Sequence, residues 1–129
     1  MPRMTSAEFA AFQARTAKPI LCSSSVSKGV EKESELHDEI KTECARRGWY
    51  PIHSPMHRPT SFDMPKGTTV LDFCIAANDG VMIFAECKKK GEKPTEEQRN
   101  TIAWLRKLKH RADCVWSFEE FLKMLEGVK

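Results

Sequence analysis

The sequence predicts an α/β domain in which a mixed sheet is packed by helices. Three observations carry that expectation. Lys32 to Arg47 repeats its apolar residues at helical spacing. Val70 to Lys90 consists of two apolar runs around Asn78-Asp79-Gly80, the pattern of a β-hairpin. Beyond it, two helix-start signals flank a short strand candidate, Asp113 to Trp116.

The chain has 129 residues, enough for one domain and one modest core. Hydrophobic residues make up 40% and charged residues 30%, ordinary values for a globular chain. No apolar run approaches the roughly 20 residues needed to span a bilayer. The start, MPRMTSAEFAAFQ, lacks a signal-peptide core, so the expected location is cytoplasmic, in a bacterial or phage-infected cell, with no membrane partner. Five cysteines, Cys22, Cys44, Cys74, Cys87 and Cys114, are scattered without a C-x-x-C pair. They read as buried free thiols rather than as a disulfide framework or zinc site. The net charge of +3 permits a nucleic-acid partner without requiring one.

Taken in order, residues 5–16 predict a short helix capped by Thr5 or Ser6, with Phe9 and Phe12 on one face. Three serines and Gly29 follow in a stretch without period, so residues 1–31 are expected to be a short helix and linker. Residues 32–129 form the expected folded domain. Its first helix carries Leu36, Ile40 and Cys44 at i, i+4, i+8, and Gly48 stops it. The stretch from Trp49 begins as a strand candidate and continues as a proline-rich loop. After the hairpin, Thr95-x-x-Gln98 is a capping box opening a helix with Ile102, Leu105 and Leu108 as its buried stripe. Ser117-x-x-Glu120 caps a last helix containing Phe118, Phe121, Leu122 and Leu125.

The hairpin holds an unusual feature: each apolar run contains an acid, Asp72 in one and Glu86 in the other. A two-residue Asp79-Gly80 turn would put them on opposite faces. A three-residue Asn78-Asp79-Gly80 loop pairs Ala77 with Val81, and that register sets Asp72 directly opposite Glu86. Glycine at the third place suits this loop, a type I turn followed by a left-handed residue. Opposed side chains lie about 4.5–5.5 Å apart at Cβ. Two carboxylates that close repel unless a cation lies between them or one takes a proton. Lys88 shares the face of Glu86, since strand side chains alternate.

Such a set suits Mg²⁺ or Mn²⁺, which take oxygen ligands and are held by one or two carboxylates together with phosphate oxygens. Asp72, Glu86 and Lys88 together are a minimal kit for metal-assisted phosphodiester hydrolysis. The plainer reading is a solvated face of an edge hairpin, on which Glu and Lys two apart are commonplace. Spacing alone leaves both open.

Residues 33–121 resemble the virus-type replication-repair nuclease (VRR-NUC) domain, a branch of the PD-(D/E)xK nucleases. The resemblance is carried by a helix with ESELH and a Gly-Trp at its end, the Asp72 strand, ECK as the E-x-K element, PTEEQRNTIAWLRKL and SFEEF. It implies a restriction-endonuclease-like fold and a Mg²⁺- or Mn²⁺-dependent deoxyribonuclease. It further implies that Asp72, Glu86 and Glu33 hold metal, that Lys88 is the catalytic lysine, and that Gln98 positions the site and the phosphate. His37 stands where many relatives have glutamine. The sequence departs from the family before Asp72, where Gly67-Thr-Thr-Val-Leu replaces the usual Gly-x-Pro. Relatives of this size pair, so a homodimer acting on flaps or junctions is the implied assembly.

Other residues extend this picture toward DNA. Ser54, His57 and Arg58, with His53, stand in a loop that either contacts phosphate or is plain surface. Lys89 and Lys90 continue the basic run from Lys88, and Arg99 carries positive charge onto the next helix. Trp49 and Trp116 read as core or interface, and Trp104, one residue off the apolar stripe, stays open. Two rival readings remain: a DNA-binding module with a degenerate site, and a structural partner of a larger assembly.

Overall fold

The computed structural model describes residues 29–54 and 63–129, together with Thr5 and Ala7. Apart from Thr5 and Ala7, the helix expected over 5–16 lies outside the described residues, as do His57 and Arg58. Helix α1 spans Glu33–Arg47 and buries Leu36, Ile40 and Cys44 completely, as the four-residue spacing predicts. Gly48 ends it with a φ of 75°, a left-handed conformation that a glycine adopts without steric penalty. That turn sends the N–H of Trp49 back to the Cys44 carbonyl at 2.9 Å.

Strand β1 (Tyr50–His53), strand β2 (Phe73–Ala76) and strand β3 (Met82–Cys87) form an antiparallel meander. Strand β4 (Arg111–Val115) joins β3 in parallel, giving a mixed sheet of order β1-β2-β3-β4. A parallel neighbour requires a crossover, and helix α2 (Glu96–Lys107) is that crossover. Helix α3 (Phe118–Met124) closes the fold.

The hairpin register is the one that aligns the acids. Phe73 pairs with Ala85 and Ala76 with Met82, and the Ala77 N–H donates to the Val81 carbonyl at 2.9 Å. Two local expectations are corrected. The loop is not a type I turn with one left-handed glycine, because Asp79 (φ 60°) and Gly80 (φ 73°) are both left-handed. The Val81 N–H closes this turn onto the Asn78 carbonyl, and aspartate tolerates the left-handed region better than most residues. Regular pairing also begins only at Phe73, so Asp72 sits at a bend just before β2 rather than within a strand.

Alternation along the strands divides the core between the two faces of the sheet. Phe73, Ile75, Ile83, Ala85, Cys87 and Val115 pack with the buried residues of α1 and α3. Leu71, Ala112, Cys114 and Trp116 pack with Ile102 of α2. Each fully buried aliphatic or aromatic side chain contributes about 1.5–3 kcal/mol, so these two layers supply most of the driving force. Trp49 and Trp116 are core residues, and Trp104 is half-buried. Leu108 departs from the expected stripe and is exposed, since the helix ends at Lys107 and the chain turns away there.

Val30 is hydrogen-bonded into the described fold. The Val30 N–H donates to the Trp116 carbonyl, and the Lys90 N–H to the Val30 carbonyl, each at 2.9 Å. Val30 thereby ties the end of β4 to the lysine loop that follows β3. Among the described residues, no helix is long and apolar enough to cross a membrane.

Candidate active site

The site lies where β2 begins and β3 ends, between α1 and α2. Asp72 and Glu86 are only 6% and 2% exposed, so they are not on a solvated face. Burying a carboxylate is costly unless donors replace its water. Here the donors come from main chain and amide. The Cys87 N–H donates to Oδ2 of Asp72 at 2.8 Å, and the Asp72 N–H donates to Oε2 of Glu86 at 2.9 Å.

Gln98 supplies a further donor to Glu86. Its Nε2 donates to Oε1 of Glu86 at 2.6 Å, while its Oε1 accepts the Thr95 N–H at 2.8 Å. The capping box expected from Thr95-x-x-Gln98 is therefore present, and the same glutamine that starts α2 also grips the acid on β3. Lys88, half-buried, holds its Nζ 4.0 Å from Oε1 of Glu86. Asp72, Glu86, Lys88 and Gln98 are thus brought together.

Glu33, in the first turn of α1, senses the charges of Lys88 and Asp72. Burial and a hydrogen bond to Glu92 hold its carboxyl above the usual range. That same bond, with Lys89, holds Glu92 below it. Two carboxyls that share a hydrogen bond must divide one proton between them. Glu92 was not singled out by sequence reasoning. It lies in the loop just after the lysine run, and only the tertiary fold brings it against Glu33. Its carbonyl also accepts the Trp116 indole N–H at 2.7 Å, which anchors the loop.

On the α1 side of Asp72 stands His37, only 5% exposed, with Nε2 3.7 Å from Oδ2. Among the described residues, no hydrogen-bond partner reaches that nitrogen. The His53 ring stacks on Phe73 and meets His37 edge-on at a 4.6 Å centroid separation. Burial lowers the pKa of His53. His37, Asp72 and Cys87 each offer one ligand atom, all within 4.8 Å of one another. The scattered cysteine spacing predicts a buried thiol at Cys87, and burial does push its pKa well up. Its nearness to His37 had no local signal.

Ser54 is half-buried, its N–H donating to the Asp72 carbonyl at 2.8 Å. Lys89, Lys90 and Arg99 are exposed, and Lys89 pairs with Glu92 at 3.4 Å.

No family model matches this sequence, and no curated protein does so either. Among solved structures, one described as "VRR_NUC domain" superposes with a TM-score of 0.56. That likeness covers 74% of this chain and 95% of the other, at 23% identity. At this identity the likeness concerns the fold. The chain accordingly has the α/β, restriction-endonuclease-like fold of a VRR_NUC domain, a mixed four-stranded sheet flanked by helices.

Proposed function

We propose that this protein is a Mg²⁺- or Mn²⁺-dependent deoxyribonuclease that hydrolyses phosphodiester bonds. The observation that carries this reading is the meeting of two buried carboxylates, Asp72 and Glu86, with Lys88 and Gln98 at one strand end. The residues fit a hard divalent ion, since both acids offer oxygen ligands and are held in place by main-chain N–H donors. Asp72, Glu86 and Glu33 would hold it. The ion would supply charge to stabilise the phosphate under attack and lower the pKa of a bound water.

The protein's own residues do the rest. The Asp72 and Cys87 N–H groups fix the two carboxylates, so little reorganisation is needed on loading. Gln98 holds one oxygen of Glu86 and orients it. Lys88, anchored near Glu86 and half-buried, presents an ammonium that orients the attacking water or neutralises charge on the phosphorus. Lys89, Lys90 and Arg99 attract the DNA backbone, with Ser54, His57 and Arg58 as further contacts. A domain this small presents a limited DNA surface, which favours a symmetric homodimer on flaps or four-way junctions.

Purified protein incubated with labelled linear, flapped and four-way DNA, in Mg²⁺, Mn²⁺ or EDTA, tests the reading. Metal-dependent cutting lost in Lys88→Ala and Asp72→Ala supports it. Binding without cutting in every metal overturns it in favour of a non-catalytic DNA-binding module.

A further inference from the structure

Asp72 faces two different donor chemistries. Toward α2 it meets the carboxylate of Glu86 and, through it, the ammonium of Lys88 and the amide N–H of Gln98. Toward α1 it meets an imidazole and a thiol. We propose that Nε2 of His37, a carboxylate oxygen of Asp72 and Sγ of Cys87 form a second metal site, selective for borderline transition ions such as Zn²⁺ or Co²⁺.

Three observations support it. A buried ring nitrogen ordinarily finds a hydrogen-bond partner, yet Nε2 of His37 has none among the described residues. Its 3.7 Å separation from Oδ2 of Asp72 is too long for a hydrogen bond. It is close to the span of about 3.4 Å between two ligands each bound about 2.1 Å from one tetrahedral ion. The ring is also fixed before any ion arrives, edge-on to both His53 (4.6 Å) and Phe73 (5.6 Å). Thiolate and imidazole donors favour zinc-like ions over Mg²⁺, and three protein ligands leave a fourth position for water. On binding, the Cys87 thiol gives its proton to solvent as sulfur joins the metal, with no change of oxidation state.

This site does not require the nuclease reading, although both claim Asp72. A zinc-like ion on the α1 side therefore competes for the carboxylate that the hydrolytic ion would need, and excess zinc should antagonise Mg²⁺.

The test is a Co²⁺ titration of the full-length, metal-free, reduced protein, followed by absorption spectroscopy. The expected result is a sulfur-to-cobalt charge-transfer band with tetrahedral ligand-field bands, bleached by stoichiometric Zn²⁺. Cys87→Ser should lose the charge-transfer band, and His37→Ala should weaken binding by about 10-fold or more. Zinc-edge X-ray absorption on the wild-type protein needs no variant, and should show one sulfur with nitrogen or oxygen ligands. A band that survives Cys87→Ser, or zinc bound with no sulfur, overturns the proposal. Because these signals are spectroscopic, a protein that binds cobalt but cuts no DNA would overturn only the nuclease reading.

Discussion

The main-chain N–H of Asp72 donates to the side-chain Oε2 of Glu86 across 2.9 Å, joining the start of β2 to the end of β3. Cys87, next to Glu86, returns a bond to the Asp72 carboxylate at 2.8 Å. Each acid is therefore seated by a main-chain N–H from the segment that holds the other. This reciprocity explains how two carboxylates remain buried and adjacent: main-chain dipoles replace the water they lose.

Lys88→Ala should reduce metal-dependent DNA cleavage by about 10²–10³-fold, the scale for losing one stabilising group at a reacting centre. Its fold should be kept, because its structural bond to the Val115 carbonyl comes from the main chain. Single-turnover cleavage beside circular dichroism separates the two effects. Equal losses of structure and activity would show a structural lysine instead.

Gln98 performs two tasks with one amide, so its variants should diverge. Gln98→Glu keeps an acceptor for the Thr95 N–H and hence the cap, but sets a third carboxylate against Glu86. Activity should fall by about tenfold or more with helix content unchanged. Gln98→Ala should lose both roles and cost about 1 kcal/mol of stability from the cap as well. Thermal unfolding and cleavage rates on the two variants check the split.

Glu43 gives a pH signature away from the site. Its carboxylate pairs with Arg46 and with Arg47 on the next turn, and the Arg46 hydrogen bond holds its pKa below the ordinary value. A depressed folded pKa means stabilisation that is complete above the unfolded pKa of 4.5 and lost as pH falls below it. Glu43→Gln should thus be less stable than wild type at pH 7, with the gap closing toward pH 3. Urea unfolding at the two pH values reads it. A gap independent of pH would refute the assignment.

Gly29 marks how tightly the first described residues are seated. A Cβ there would lie 3.0 Å from both the Cβ and the carbonyl oxygen of Trp116, and 3.2 Å from the Lys90 Cα. Two of these neighbours are main chain and cannot swing aside. Gly29→Val should cost about 1–3 kcal/mol by overpacking and loosen the lysine loop. Hydrogen exchange should report faster opening at the Lys90 and Val30 N–H groups.

Much of this fold is legible in local sequence because its signals are short-range. The four-residue spacing of Leu36, Ile40 and Cys44, the Thr95–Gln98 box and the Ser117 cap each act within one or two turns, and all appear in the structure. The hairpin register is also local, since loop length sets it, and it places Asp72 against Glu86 even though the turn uses two left-handed residues. The site beyond that pair is a product of tertiary packing. The parallel crossover brings Gln98 onto Glu86, the seating of α1 sets His37 beside Asp72 and Cys87, and the lysine loop folds Glu92 back onto Glu33. Sequence by itself determined which segments are helix or strand and which acids face each other. Only the folded chain decided which groups surround them, because those contacts join residues far apart in sequence and depend on how the two faces of the sheet are covered.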